Sequence, residues 1–134
     1  MSNVYLATSH VAKNNVLNRG MFAKKNISKG SIIEICPVIV LPKKDEKLLE
    51  PTILDRYIFD FGEDRECVVL GYGSIYNHSF EPNIHWYDDV ENQTKIFYAL
   101  RAIRKDEELV HNYHGLNSKN DGSVEKEYGL NEHQ

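Results

Sequence analysis

Apolar positions come in short runs separated by turn residues: "VYLATS" (4–9), "SIIEICPVIVL" (31–41), "CVVL" (67–70), "KIFYALRAI" (95–103) and "ELVHNY" (108–113). β-branched and aromatic residues dominate these runs, so each is expected to be a strand. Pro37 interrupts the second run. Proline has no N–H to give to a ladder, so that run is expected to break there or to lie at a sheet edge. Between the strands, "KKDEKLLEPTILDRYIF" (43–59) mixes charged and apolar residues at helical spacing around Pro51, which fits one or two short helices. Two segments echo one another, "NISKGSIIE" (26–34) and "AIRKDEELV" (102–110). Each runs from an isoleucine through a basic turn back to apolar residues and reads as a hairpin; a single echo is not a repeat array.

At 134 residues the chain has the size of one domain that can bury a hydrophobic core without a metal or disulfide. Hydrophobic content of 41% and charged content of 27% are ordinary for soluble proteins. No apolar stretch approaches the roughly 20 residues that cross a bilayer, which argues against a membrane partner. The opening "MSNVYLATSHVAKNN" lacks a basic start and long apolar run, and Cys36 and Cys67 are too few for a disulfide framework or a four-thiolate zinc site. A cytoplasmic protein with reduced thiols is expected, the host nucleus being the alternative for a viral chain. Sixteen Lys and Arg against twenty Asp and Glu leave a net charge of −4, with acids gathered in "GEDRE" (62–66), "DDVE" (88–91) and "DEE" (106–108). That balance disfavours direct nucleic-acid binding and suits a cationic partner, although any one such run is more often merely a solvated loop. The tail "NSKNDGSVEKEYGLNEHQ" (117–134) is polar and acidic up to Tyr128 and Leu130, so it is either unstructured or folds back through those two side chains.

The densest chemistry lies in "YNHSFEPNIHWY" (76–87). His78, Glu81, His85 and Asp88 could be metal ligands, but Pro82 lies between them and no helical histidine pair or cysteine support accompanies them. Asn77-His78-Ser79, Asn26-Ile27-Ser28 and Asn92-Gln93-Thr94 match the glycosylation pattern, which has meaning only in a secreted chain. The third reading is a polar turn whose Asn and His side chains must find hydrogen-bond partners inside the fold or on a small polar ligand. The lead-in "GYGS" (71–74) would let backbone come close to such a ligand. Turn and ligand site both remain open on these residues alone.

"NHSFEPN" (77–83), followed by "EELVHNY" (107–113) and preceded by "NRGMFAKKNISKGSII" (18–33), resembles the SET-domain protein lysine methyltransferases in three motifs and in their order. The resemblance covers about residues 4–116, and it implies a domain at 1–116 with a C-terminal tail at 117–134 that could pack over the cofactor site. It implies a mostly β, SET-domain (β-clip) fold of short antiparallel sheets, with one or two short helices and a C-terminal segment threaded past the NHS segment like a knot. It also implies S-adenosylmethionine as cofactor and a target lysine entering from the opposite face. By this similarity the backbone of Arg19, Gly20 and Met21 contacts the cofactor, Asn77 its methionine portion, His78 the adenine end, and Tyr113 the site of methyl transfer. Methyl transfer to an amine needs alignment and a neutral lysine rather than a covalent nucleophile, and a tyrosine hydroxyl suits that task.

Several positions depart from the family. Asn18 replaces the first glycine of a Gly-x-Gly turn, Phe80 stands where cysteine is frequent, and no Cys-rich flank follows Tyr113. Tyr128 is a candidate cover for the adenine. Cys36 lies where a channel tyrosine is common, Trp86 could replace that aromatic or equally serve in the core, His111 lies where methylation number is often influenced, and Tyr72 and Tyr76 are expected beneath the NHS element. Tyr76, Trp86 and His111 are therefore the expected channel residues, and no metal is expected. The implied activity is S-adenosylmethionine-dependent lysine N-methylation of a basic, histone-like protein. The rivals are a catalytically silent SET-like module that binds a cationic peptide and a metal enzyme built on His78 and His85. Pairing with a second copy could complete the substrate groove.

Overall fold

The computed structural model describes residues 2–11 and 19–115. Nine strands are found there: β1 Val4–Thr8, β2 Arg19–Ala23, β3 Ile32–Val40, β4 Ile58–Phe61, β5 Arg65–Val69, β6 Asn77–His78, β7 Ile84–Asp89, β8 Thr94–Ala99 and β9 Glu108–His111. Between β3 and β4 lie helix α1, Lys43–Leu49, and a 3-10 turn, Ile53–Tyr57, on either side of Pro51 as the sequence predicts. The described residues form two compact units, one within 2–11, 19–33, 75–85 and 98–115, the other from 34–74 and 86–97. Among the described residues no helix is long and apolar enough to cross a membrane.

The first unit holds a sheet of order β1-β2-β9-β6. β1 pairs antiparallel with β2 from Val4↔Ala23 to Thr8↔Arg19, and β2 pairs antiparallel with β9 at Met21↔Leu109. β6 joins the other side of β9 in parallel, with Asn77 opposite Val110 and His78 opposite His111. A parallel pair cannot come from a tight hairpin, so the late strand must be brought back beside the NHS segment. Asn83 holds it there. Its Nδ2 donates to Glu108 O at 2.8 Å, and its Oδ1 accepts from Val110 N at 2.9 Å, on a side chain that is almost fully buried.

The two echoing segments are not separate hairpins. Ile27 N donates to Ile103 O and Ile103 N to Ile27 O, both at 2.8 Å, so the segments pair with each other. Each keeps its turn, closed by Ser31 N to Ser28 O at 3.1 Å and by Glu107 N to Arg104 O at 3.0 Å. Gly30 and Asp106 take the positive φ at equivalent places, 83° and 71°. Asp tolerates that left-handed conformation better than most side chains, so the two turns match despite their different residues. The arms leaving them enter β3 and β9, which find their ladders elsewhere.

The second unit is built on a sheet of order β4-β5-β3-β8-β7, with Cys36, Val38, Phe61, Cys67, Val69 and Phe97 buried. β3 runs unbroken through Pro37 and sits in the middle of the sheet, contrary to the expectation of a break or an edge. Val38 opposite Val69 is the last β3–β5 pair at that end, and Leu70 N still donates to Pro37 O at 2.9 Å. The proline thus stands where its partner strand finishes and loses one bond rather than a ladder. Lys95 is fully buried, its Nζ 2.6 Å from Asp88 Oδ1 and 3.1 Å from Asp60 O. The rings of Phe59 and Trp86 lie 5.3 Å from the ammonium and that of Phe61 5.9 Å. Gly73 is hemmed in by Val69, by Phe97 at 3.0 Å and by Cys36 at 3.2 Å from the place a Cβ would take, which is the packing reason for a glycine in "GYGS".

Candidate active site

All elements of the site belong to the first unit. β2 and β6 flank β9, so a residue of β2, one of β6 and the first residue of β9 converge. Those residues are Gly20, Asn77 and Glu108. A Cβ on Gly20 would collide with Glu108 Oε2 and come within 2.8 Å of Asn77 Nδ2, so only glycine fits without displacement. Glu108 is 7% exposed and accepts three neutral donors: Ser9 Oγ at 2.8 Å, His10 N at 2.6 Å and Asn77 Nδ2 at 3.1 Å. Asn77 Nδ2 also lies 3.0 Å from Arg19 O and 3.1 Å from Ser9 Oγ. Three acceptors around one end of the amide identify that end as the nitrogen.

Next to Asn77, His78 Nδ1 accepts a hydrogen bond from Tyr113 N at 3.1 Å, which places the ring proton on Nε2. Nε2 is buried and has no partner among the described residues. Burial, and then the neighbouring His114, push the His78 imidazolium pKa down to about 4, so the ring is neutral at neutral pH. Tyr113 is half-buried, and its hydroxyl donates to Tyr76 O at 3.1 Å. Its ring lies 4.9 Å from that of His78 and 4.7 Å from that of the fully buried His111. The phenol is thus held from both ends, at its backbone by His78 and at its oxygen by Tyr76, without being sealed in the core.

Of the residues named from sequence, Arg19, Gly20 and Asn77 meet at one place, and Tyr76, His78, His111 and Tyr113 at another, linked through the adjacent Asn77 and His78. Met21 is fully buried and offers the site only its backbone. Trp86 lies in the second unit, edge-on to Phe59 with ring centres 6.0 Å apart and near the Lys95 ammonium. Tyr76 is buried, whereas Tyr72 is 41% exposed and belongs to the second unit. The reason is local: Tyr72 N donates to Glu34 Oε2 at 2.9 Å, tying this turn to β3. Asn18, Tyr128 and the tail 117–134 lie outside the described residues. Among the described residues no three His, Cys, Asp or Glu side chains gather as a metal-binding group, and His85 instead sits edge-on to Tyr98.

Ser9, Asn83 and Glu108 escaped the sequence reading. Glu108 carried one signal: it begins an otherwise apolar strand entry, "ELV", in which all residues are buried. A buried acid in such a place needs a reason.

The residues suit S-adenosylmethionine, the cofactor the motifs imply. Its amino-acid end is cationic at the amine and sulfonium, and Asn77 Oδ1 and the Glu108 carboxylate are acceptor groups beside a glycine backbone. Its adenine carries acceptor nitrogens, which the unpartnered His78 Nε2–H can answer. Gly20→Ala tests the close approach. Overpacking of about 1–3 kcal/mol should displace Asn77 or Glu108 and weaken cofactor binding at least tenfold by calorimetry. Unchanged affinity would show that the cofactor lies elsewhere.

A family profile described as the SET domain matches residues 18–114. The chain is 36% identical over 96 residues to the Schizosaccharomyces pombe protein named histone-lysine N-methyltransferase, H3 lysine-37 specific, a match covering 71% of this chain and 65% of that protein. It is 33% identical over 116 residues to human histone-lysine N-methyltransferase 2B, covering 77% of this chain and 4% of the relative. The chain therefore spans less than two thirds of either curated relative. Among solved structures, a Plasmodium falciparum protein named as a candidate histone methyltransferase superposes with a TM-score of 0.68 at 30% identity, over 84% of this chain and 94% of that one.

Proposed function

Because the chain belongs to the SET-domain family, we propose that it is a lysine methyltransferase that uses S-adenosylmethionine to methylate a lysine of a basic, histone-like protein. The observation that carries this reading is the double tether of Tyr113, whose backbone binds His78 and whose hydroxyl binds the Tyr76 carbonyl beside the Asn77–Gly20 cluster. When bound, the cofactor supplies a methyl group activated by a positive sulfur. The protein's residues bind, orient and exclude water. Asn77 and the Gly20 backbone hold the amino-acid end, and the neutral His78 donates toward the adenine. Tyr113 Oη donates its hydrogen bond to Tyr76 O and so keeps its lone pairs for an incoming amine N–H, which fixes the direction of the nitrogen lone pair. Free lysine has a pKa of about 10.4, so the amine must shed a proton before it can attack. Buried Tyr76 and His111 beside the phenol and an uncharged His78 make a weakly polar surrounding, which favours the neutral amine over the ammonium.

A cationic substrate is supported by the second unit. An open cleft there is lined by Glu46, Asp60, Glu63, Asp64 and Glu66 with Lys43 and Arg65. The Glu66 carboxyl is held above its ordinary range by burial and by Glu46, Asp60 and Asp55, so a basic segment would relieve mutual repulsion. Both curated relatives carry histone-lysine in their names, which agrees with a basic target. Incubation with methyl-labelled S-adenosylmethionine and mixed histones tests the reading. Label is expected on lysine. Cofactor that binds while no protein becomes labelled would favour a silent peptide-binding module instead.

A further inference from the structure

We propose that Glu108 is a positioning residue for the cofactor's amine: its carboxylate locks the Asn77 amide with nitrogen inward, so that Asn77 Oδ1 is left to receive the ammonium group. The inference rests on S-adenosylmethionine being the cofactor, and it adds a residue to that site. Two neighbouring glutamates make the contrast. Glu107 is paired with Arg101, and that ion pair with the Asn83 and Arg104 hydrogen bonds holds its carboxyl below the usual range despite burial. Glu108 is buried on neutral donors alone, with no Lys or Arg in salt-bridge range among the described residues. A carboxylate taken out of water without a cation is costly, and a neutral acceptor could tie Ser9 and His10 to β9 as well. A cation arriving from outside gives the negative charge a purpose.

The hydrogen bonds say where that cation would go. Nδ2 of Asn77 is surrounded by Glu108 Oε2, Arg19 O and Ser9 Oγ within 3.1 Å. No donor among the described residues reaches Oδ1 at the other end of the same planar group. If Glu108 became an amide, its NH₂ could face the NH₂ of Asn77. Relieving that clash by turning the Asn77 amide would bring Oδ1 against Arg19 O and present a donor to the ammonium. The effect on binding is therefore specific to ligands that carry the amine.

The test is calorimetric affinity of the wild type and Glu108→Gln for S-adenosylhomocysteine and for its analogue lacking the amine. The wild type should prefer the amine-bearing ligand by about 10- to 100-fold, the worth of a hydrogen bond to a charged group. Glu108→Gln should lose most of that preference, its affinity for S-adenosylhomocysteine falling much more than its affinity for the analogue. A variant that keeps the full preference would overturn the inference and leave the cofactor reading standing. A wild type that binds neither ligand would sink both. Hydrogen exchange in the wild type decides the matter even if the variant does not fold. The Asn77 side-chain amide protons should exchange slowly before any ligand is added, and fast exchange would refute the lock.

Discussion

Tyr113→Phe is expected to reduce methyl transfer by roughly 100- to 1,000-fold, the usual loss when one preorganised polar group at a reacting centre is removed. The substitution keeps the ring, and with it the contacts at 4.9 Å to His78 and 4.7 Å to His111. It also keeps the backbone bond from Tyr113 N to His78 Nδ1. What disappears is the hydroxyl and its 3.1 Å bond to Tyr76 O. Loss of one such bond on a half-buried side chain should lower stability by only about 0.5–1.5 kcal/mol. Cofactor affinity should change little, since the hydroxyl acts on the amine rather than on the amino-acid end of the cofactor. The paired readout is single-turnover transfer of labelled methyl, with cofactor affinity and melting temperature taken on the same preparation. Retention of more than about a third of the wild-type rate would remove Tyr113 from the chemistry.

Asp88→Ala should produce the largest loss of stability, about 3–5 kcal/mol, because it strands the Lys95 ammonium inside the second unit. Lys95 is fully enclosed and, among the described residues, Asp88 is the one carboxylate paired with it, at 2.6 Å. The carbonyl of Asp60 and the faces of Phe59, Phe61 and Trp86 would remain. Cation–π contacts contribute about 0.5–2 kcal/mol each and do not neutralise a buried charge. Asp88 Oδ2 also accepts from Gly62 N at 3.0 Å, so the same change frees the turn after β4. Asp89, one residue on, accepts from the Asn92 turn at the surface, and Asp89→Ala should cost within about 1 kcal/mol. Urea denaturation of the two variants side by side gives the comparison, and equal midpoints would contradict the account of Lys95.

Much of this was readable in the chain. The runs at 4–9, 31–41, 67–70, 95–103 and 108–113 all overlap strands, and Pro51 parts α1 from the 3-10 turn. The three motifs also gave the family and brought Gly20, Asn77, His78 and Tyr113 to one unit. Features set by distant pairing left no local trace. β6 is two residues long, too short for any periodicity, and exists because β9 returns alongside it. The echo at 26–34 and 102–110 showed that two turns are alike but not that each supplies the other's partner. Pro37 is tolerated in mid-sheet because β5 ends opposite it, a matter of register rather than of sequence. Glu108 and Lys95 look like surface charges in a sequence, and only the fold shows that one is buried on neutral donors and the other inside a ring of aromatics. Trp86, for which the sequence leaves a channel and a core role equally open, has its ring over the Lys95 ammonium.

A co-crystal structure with S-adenosylhomocysteine and a lysine peptide is the most direct measurement of the central claim. The expected complex has the homocysteine end against Gly20 and Asn77, adenine at His78 Nε2, and the peptide amine beside Tyr113 Oη, facing the sulfur. A cofactor bound away from the Gly20–Asn77 cluster, or an amine with no approach to Tyr113 Oη, would contradict it.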